Sequence, residues 1–334
     1  MPFGFVITTP TCHEFFARGN TLPLLLEQEY RVALDLVEKE MGARFGDPDN
    51  PLLFSVRSGA PVSMPGMMDT ILNLGLNDEI VEGLARKTGN PRFAYDCYRR
   101  FIQMFADVVL GVDGERFEDA IGDYKTQHGK VQDVDLTAED WQTVIEVFKT
   151  ITEWPQDPFE QLKRAVEAVF LSWHSPRANV YREMNNISET LGTAVNVQAL
   201  VFGNFGDDSG SGVAFTRDPA TGEKRFFGEV LFNAAGEDVV AGIRTPEPIE
   251  ALQVRLPEAY KELYETQALL EQHYRDMQDI EFTIQEGRFY ILQTRSGKRT
   301  GRASVKIAVD MVNEGLIGDK EALWRVSPEH VESF

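Results

Sequence analysis

Hydrophobic and polar residues follow two different periods along this chain. Alternation with a period of two predicts β-strands, and recurrence near 3.6 residues predicts amphipathic helices. By this criterion the predicted strands are Phe3–Pro10 (stopped by the proline), Leu52–Gly59, Ala194–Phe202, Gly212–Arg217, Arg225–Leu231, Asp279–Ile284 and Arg288–Thr294. The predicted helices are Leu22–Arg44 (one helix or a pair), Phe93–Leu110, Ala138–Thr152 and Pro257–Met277.

The stretch from Asn77 to about Trp154 has a helical pattern throughout. Its clearest helix is Phe93–Leu110, where apolar residues recur on one stripe. The segment Gly111–Val134 is predicted to be a charged connector. The order of these segments along the chain predicts an α+β protein with two lobes: strands come first, then a helical insertion, then a strand-rich part.

Composition narrows the class of protein. The chain has 334 residues, 43% of them hydrophobic, and a formal charge of −20, so it is expected to fold and not to grip nucleic acid through a basic face. No apolar run approaches the ~20 residues of a membrane span, so no membrane partner is expected. Only two cysteines and no secretory signal at the N-terminus favour a reducing, cytoplasmic setting.

Familiar catalytic motifs are missing from the sequence. It contains no G-x-x-x-x-G-K-[ST] phosphate loop, no G-x-G-x-x-G fingerprint, no H-E-x-x-H zinc motif and no G-x-S-x-G elbow. The five histidines are scattered. The candidate chemistry therefore depends on three less familiar segments.

The strongest of these segments is a predicted hairpin from Asp279 to Arg295. A three-residue loop ending at Gly287 would place the side chains of Asp279, Glu281, Gln293 and Arg295 on one face, whereas a two-residue turn would split them. One interpretation is an exposed cross-strand ion pair of small energetic value. The other is a site for Mg²⁺ and a triphosphate, because carboxylate and amide oxygens suit Mg²⁺ and an arginine suits phosphate oxygens.

Two further segments allow either a structural or a functional interpretation. The Gly/Ser-rich segment Gly206–Gly212 is either a plain hairpin connection or a turn whose N–H groups face phosphates. Arg57 lies near the end of a predicted strand, before the long Met-rich loop Gly59–Asp69. Its side chain either pairs locally or clamps an anion from the opposite lobe.

Taken together, several segments resemble the pyruvate, phosphate dikinase family, and the resemblance runs over nearly the whole chain. The matching segments are Ser55–Ala60, Met64–Asn77, Gly89–Asp96, Gly212–Arg217, Gly236–Gly242 and Gln293–Arg295. The Met64–Asn77 run favours the dikinases over their phosphoenolpyruvate synthase relatives. The resemblance implies an ATP-grasp fold holding Mg-ATP between two lobes. The implied divisions are 1–76 with 158–198 (first lobe), 77–157 (helical insertion), 199–300 (second lobe) and 301–334 (C-terminal helices and the start of a linker).

The resemblance also implies roles for individual residues. Arg57 would contact the phosphates and Arg295 would stabilise the transferring phosphoryl group, both as catalytic residues. Asp279, Glu281 and Gln293 would serve as magnesium ligands. Gly210, Ser211 and Gly212 would belong to a phosphate lid, and the strand from Gln198 to Phe202 would line the adenine.

Family members convert ATP, phosphate and pyruvate to AMP, pyrophosphate and phosphoenolpyruvate through a phosphorylated histidine on a swivelling domain. This chain is expected to be a truncated piece that lacks that domain, the pyruvate/phosphoenolpyruvate domain and an upstream phosphate-binding lysine. The missing N-terminus leaves an organelle form open, and oligomeric state is not predicted. The alternatives are a non-catalytic nucleotide-sensing or interaction module, or the equivalent part of a synthase relative with another acceptor.

Overall fold

The computed structural model describes residues 1–62, 64, 66–241 and 244–332. Ser63 and Pro65 of the Met-rich loop, Gly242 of a family-like segment and the last two residues lie outside this set. The strands are β1 (Gly4–Ile7), β2 (Arg44–Phe45), β3 (Pro51–Leu52), β4 (Phe54–Gly59), β5 (Thr70–Leu74), β6 (Ala194–Ala199), β7 (Gly210–Phe215), β8 (Phe227–Phe232), β9 (Glu247–Pro248), β10 (Gln278–Gln285) and β11 (Arg288–Ser296).

The helices are α1 (Thr9–Ala17), α2 (Leu26–Met41), α3 (Ile80–Thr88), α4 (Pro91–Leu110), α5 (Glu115–His128), α6 (Ala138–Ile151), α7 (Pro158–Ser172), α8 (Pro176–Met184), α9 (Gly236–Ala241), α10 (Ala251–Arg255), α11 (Pro257–Tyr274), α12 (Gly301–Asn313), α13 (Asp319–Arg325) and α14 (Pro328–Glu332). The chain divides into two compact units, Phe3–Leu200 and Val201–Phe334 with Met1–Pro2. The mixed α+β organisation is confirmed.

The first unit, Phe3–Leu200, contains an antiparallel sheet in the order β1-β6-β4-β5. One face of the sheet forms a core, in which Val56, Val195 and Val197 are fully buried. The opposite face carries polar side chains, because alternate residues of β4 and β6 point away from that core. A sheet that is apolar on one side and polar on the other leaves its second face available for chemistry.

The helical part of this unit follows clear local signals. The α4 helix starts where Asn90 accepts a hydrogen bond from the Phe93 N–H, with Pro91 in the first turn, and ends at Gly111 in the left-handed region (φ 68°). This helix and the single helix α2 confirm the predictions.

Two local predictions in this unit are wrong. Pro10 was expected only to stop the first strand, but it lies in the first turn of α1, a position that tolerates proline. The connector Gly111–Val134 contains the helix α5, whose buried residues Phe117 and Ile121 form too narrow a stripe to stand out among charged neighbours.

The second unit, from Val201 onward, contains an antiparallel sheet in the order β11-β10-β7-β8-β9. The helix α11 packs against it, with Leu263 in the same buried cluster as Ile280 and Phe282. A buried ion network joins the sheet to two helices: Arg217, fully buried after β7, pairs with Glu271 of α11 and with Glu314 after α12. Thr216 links this network to the start of β10, because its hydroxyl donates to Glu271 and accepts from the Gln278 N–H.

Candidate functional site

The hairpin of β10 and β11 has a tighter turn than the sequence predicted. Gln285 pairs with Arg288, so the turn has two residues, Glu286 and Gly287, both with positive φ (50° and 74°). Two central residues with positive φ are typical of a type I′ turn. The predicted three-residue loop is therefore wrong, and by itself this turn would have split the four polar side chains between both faces.

A β-bulge restores the predicted face. Phe282 pairs with Ile291, but the next residue back, Glu281, pairs with Gln293, so Leu292 is left without a cross-strand partner. One extra residue reverses the alternation on the strand that carries it. Beyond the bulge the register pairs Asp279 with Arg295 and Glu281 with Gln293, which places the four polar side chains on one face.

The contacts on this face match the register. Arg295 Nε lies 3.1 Å from Asp279 Oδ2, and Arg295 Nη2 lies 2.5 Å from Glu281 Oε1. The side chains of Arg295 and Glu281 are each 31% exposed, so water and a small ligand can reach them. The cross-strand ion pair that the sequence allowed is thus present, and it is partly exposed.

The predicted Gly/Ser turn ends earlier than expected, at Ser209, because its last three residues belong to a strand. Gly210, Ser211 and Gly212 lie inside β7, which is paired with β8 on one side and β10 on the other. Their glycines serve close packing: a Cβ on Gly212 would lie 2.5 Å from the Phe282 ring. The prediction that these three residues form a turn facing phosphates is therefore wrong. They lie in a central strand, whose N–H groups are used in the hydrogen-bond ladders with its two neighbours.

The loop that precedes β7 is attached to the hairpin turn. The Glu286 N–H donates to Ser209 Oγ at 3.0 Å, and the Gly287 N–H donates to the Asp208 carbonyl at 2.8 Å. Ser209 is fully buried. The part of the Gly/Ser segment that remains a loop, up to Ser209, is therefore anchored close to the same hairpin.

In the first unit, Arg57 and Gln198 lie on the polar face of the sheet. Arg57 of β4 pairs with Asn196 of β6 and with Thr70 of β5, and Gln198 lies two residues along the strand from Asn196. Residues directly opposite each other on neighbouring strands share a face, so these four side chains do so. The strand predicted to end at Phe202 ends at Ala199, close to the boundary between the units.

Asn196 and Thr70 are candidate residues that the sequence analysis missed. Asn196 and Gln198 alternate in β6 with the buried Val195, Val197 and Ala199, so the period-two pattern contains the signal. The side chain of Asn196 lies over Gly59, where a Cβ would come 2.8 Å from Asn196 Nδ2.

The described part of the Met-rich loop has a packing role. Met64 is buried with Trp173 and Ala178, and Met67 and Met68 pack against the same cluster. Methionine suits such irregular contacts because its side chain is unbranched and flexible. Next to the loop, Asp69 pairs with Arg177.

Comparison with known proteins agrees with the resemblance. A family model described as "Pyruvate phosphate dikinase, AMP/ATP-binding domain" matches residues 21–257 and 250–316. The chain belongs to this family. The ATP-grasp fold predicted from the resemblance is consistent with that membership and with the mixed helices and sheets seen here.

Several curated family members align with the full length of the chain. It is 54% identical over 340 residues to the chloroplastic pyruvate, phosphate dikinase of Flaveria trinervia and 53% identical over 341 residues to the pyruvate, phosphate dikinase of Clostridium symbiosum. The alignments cover 36% and 39% of those proteins, so the chain spans little more than a third of their length. None of the helices within the described residues combines the length and apolar character needed to cross a membrane.

Proposed function

We propose that the chain binds Mg-ATP as the nucleotide-binding part of a pyruvate, phosphate dikinase. The observation that carries the proposal is the bulged register of β10 and β11, which places two carboxylates, an amide and a guanidinium on one partly exposed face. The printed description of the family, an AMP/ATP-binding domain, supports the same ligand.

The residues of this face fit Mg²⁺ by their chemistry. Mg²⁺ prefers oxygen ligands, and proteins commonly hold it with one or two carboxylates together with substrate phosphates. Glu281, Gln293 and Asp279 would supply those oxygens. No cluster of three or more histidine, cysteine or acidic side chains suited to a metal occurs among the described residues, so a tight metal site independent of nucleotide is not expected here.

The ion pair with Arg295 does not compete strongly with a metal. Its side chains are partly exposed, 31% for Arg295 and Glu281 and 17% for Asp279, so water screens part of the attraction. A phosphate oxygen would replace the carboxylate contact that Arg295 gives up, which offsets the cost of moving it. The ion pair and the metal site can be two states of the same four side chains.

Electrostatics also explains why ATP alone should bind weakly. Asp279, Glu281 and Arg295 together carry a net charge of −1, which repels a polyphosphate. A bound Mg²⁺ would neutralise the carboxylates and phosphate oxygens together. Arg57, on the polar face of the first unit, and Arg295 would then stabilise charge on the transferring phosphoryl group.

The larger reaction extends beyond this chain. By likeness to the dikinases, the phosphoryl group would pass to a histidine on a further domain, and the whole protein would convert ATP, phosphate and pyruvate to AMP, pyrophosphate and phosphoenolpyruvate. Gln198 would lie toward the adenine. Release of AMP when the remaining part of the Clostridium symbiosum relative is supplied in trans would support this assignment.

Calorimetric titration tests nucleotide binding directly. The parent chain is titrated with Mg-ATP and with ATP in excess EDTA, and Glu281→Gln is compared with Glu286→Gln, which alters an exposed carboxylate at the tip of the same hairpin. We expect binding only with Mg²⁺, weakened roughly tenfold or more by Glu281→Gln, a loss of about 1.4 kcal/mol or more, and unchanged by Glu286→Gln. Absence of binding by the parent would refute the proposal. Equal binding with EDTA, or by Glu281→Gln, would refute the metal assignment.

A further inference from the structure

A cavity of about 410 Å³ lies in the second unit, away from the face that carries Arg295. Its floor is one stripe of α12, formed by Ser304, Ile307, Ala308 and Met311, all of them nearly or fully buried. Positions i, i+3, i+4 and i+7 share a helix face, so these side chains face the cavity together. The floor is mainly apolar.

Cationic side chains surround this floor. Lys298 and Arg299 come from the segment after β11, Arg325 from the end of α13 and His330 from α14. Although the chain has a formal charge of −20, three permanent cations around one cavity create a positive local field there.

One carboxylate, Asp276, lines the cavity, and its hydrogen-bonding capacity is largely used. It accepts two hydrogen bonds from Arg299, at 2.8 and 3.0 Å, and one from Ser296 Oγ at 2.5 Å. Burial raises the pKa of Asp276, but the hydrogen bonds from Arg299 and Ser296 outweigh it and hold that pKa below its usual value. Asp276 thus stays ionised and orients Arg299.

The other two permanent cations differ in how far they are neutralised. Arg325 pairs with Glu321 at 2.6 Å, lies 3.5 Å from Asp276 and donates to the Arg275 carbonyl, but Glu321 is shared with Arg275. Lys298 is exposed and forms no ion pair with any of the residues described. The lining therefore keeps an excess of positive charge above an apolar floor.

The cavity is separate from the proposed nucleotide face. Ser296 pairs with Gln278, one position along from the pair Arg295 and Asp279. Because successive side chains of a strand point to opposite faces, Ser296 and Arg295 point to opposite sides of the hairpin. A ligand in the cavity would contact the reverse side of the strand that carries Arg295.

We propose that this cavity binds a small molecule in which one phosphate or carboxylate group is joined to an apolar body. The anionic group would lie against Lys298 and Arg325, and the apolar body would cover Ile307, Ala308 and Met311. The inference does not depend on the nucleotide assignment, since no residue of the cavity belongs to the nucleotide face.

Calorimetry with simple probes tests the proposal on the full chain. Phenyl phosphate and phenylacetate are titrated at constant ionic strength, with benzyl alcohol as the uncharged probe, in the absence and presence of saturating Mg-ATP. At least one anion is expected to bind, benzyl alcohol is expected not to, and the nucleotide should not compete. Which of the two anions binds better assigns the phosphate or carboxylate preference.

Two variants and a control locate the binding. Lys298→Met removes an exposed charge and should weaken binding roughly tenfold, the usual effect of losing one charge-assisted hydrogen bond. Ala308→Leu fills the floor and should weaken it through volume. Lys261→Met removes an exposed lysine of α11 that does not line the cavity, and it should change nothing.

Hydrogen exchange gives a second readout. Bound probe should slow exchange of the amides of α12, residues 301–313, in the parent and in Lys261→Met. Failure of both anions to bind, competition by Mg-ATP, or equal weakening by Lys298→Met and Lys261→Met would each overturn the proposal.

Discussion

Removal of Arg217 is expected to destabilise the second unit strongly. Its guanidinium is fully buried and contacts Glu271 at 2.8 and 3.1 Å and Glu314 at 2.8 and 3.0 Å. Glu271 also accepts a hydrogen bond from Thr216 Oγ at 2.6 Å. The same Thr216 oxygen accepts from the Gln278 N–H, next to Asp279. The network thus connects a buried charge to the start of the strand that carries the candidate site.

The magnitude follows from what Arg217→Met leaves behind. The Glu271 side chain is only 9% exposed, so it would remain buried with a charge that nothing neutralises. Breaking a buried pair on one side costs about 3–5 kcal/mol in the free energy of unfolding. Glu314 is less affected, because it is 29% exposed and keeps Lys224 as a partner at 2.7 Å.

A second substitution tests whether the unpaired charge of Glu271 causes the loss of stability in Arg217→Met. Glu271→Gln removes the charge and keeps an oxygen for Thr216. In the Arg217→Met background it should recover part of the lost stability, with a coupling energy of about 1–3 kcal/mol. Arg225→Met is the comparison variant: Arg225 is 59% exposed, and its partner Asp218, although only 10% exposed, keeps hydrogen bonds from the Ala220 and Thr221 N–H groups, so the loss should be smaller, about 1 kcal/mol.

Urea unfolding followed by circular dichroism measures these free energies, and hydrogen exchange in α11 shows whether the loss is local to the second unit. An effect of Arg217→Met no larger than that of Arg225→Met would refute the argument. So would a double variant less stable than Arg217→Met alone, because the destabilisation would then not come from an uncompensated Glu271.

Two further perturbations test packing and protonation. Gly212→Ala should destabilise by about 1–3 kcal/mol because its Cβ would collide with the Glu229 carbonyl oxygen and lie 2.5 Å from the Phe282 ring. A Cβ on Gly206 would meet only Asp208 Oδ1 at 3.7 Å, an ordinary contact, so Gly206→Ala should be nearly neutral; similar melting temperatures for the two variants would contradict this. The hydrogen bond from the Thr137 N–H lowers the pKa of Asp140 to about 2, so its stabilising contribution is present above about pH 4 and lost as the pH falls toward 2. Asp140→Asn should therefore be less stable than the parent at pH 6, by a difference that shrinks between pH 4 and pH 2 in acid unfolding; a constant difference would contradict the assignment.

The elements that could be predicted from the sequence are those with strong local signals. The α4 helix combines an asparagine cap, a proline in the first turn, a wide apolar stripe and a glycine at its end, and each signal agrees with the others. The α5 helix has only Phe117 and Ile121 as its buried residues, so periodicity could not separate it from a charged connector. A helix could be predicted where its cap, its first-turn proline, its apolar stripe and its terminal glycine all agree, and not from one of these features alone.

The sequence of β6 contains the alternation that places Asn196 on the polar face of the sheet, but it does not show which residues lie beside it. Asn196 and Gln198 alternate with buried valines, yet their relation to Arg57 depends on which strand lies beside β6. β6 lies between β1 and β4, and β4, which carries Arg57, is about 140 residues earlier in the chain. Pairing over that separation cannot be read from either strand alone, so Asn196 was missed.

The geometry of the β10–β11 hairpin depends on contacts with distant parts of the chain. A glutamate with φ of 50° is unfavourable, whereas the predicted three-residue loop needs only Gly287 in the left-handed region. The tight turn is supported from outside, because Ser209 and Asp208 accept hydrogen bonds from the N–H groups of Glu286 and Gly287. These partners lie almost 80 residues earlier, so the type of turn depends on tertiary contacts and not on its own residues alone.

The β-bulge also depends on tertiary structure, and it compensates for the shorter turn. The strand β10 is central and pairs with β7 without interruption, whereas β11 is at the edge of the sheet and has a single neighbour. An extra residue in β11 disturbs one ladder, but in β10 it would disturb two. The irregularity therefore belongs at Leu292, and from there the alternation returns Gln293 and Arg295 to the side of Asp279 and Glu281. The predicted face is correct although the predicted turn is wrong, because two non-local features cancel.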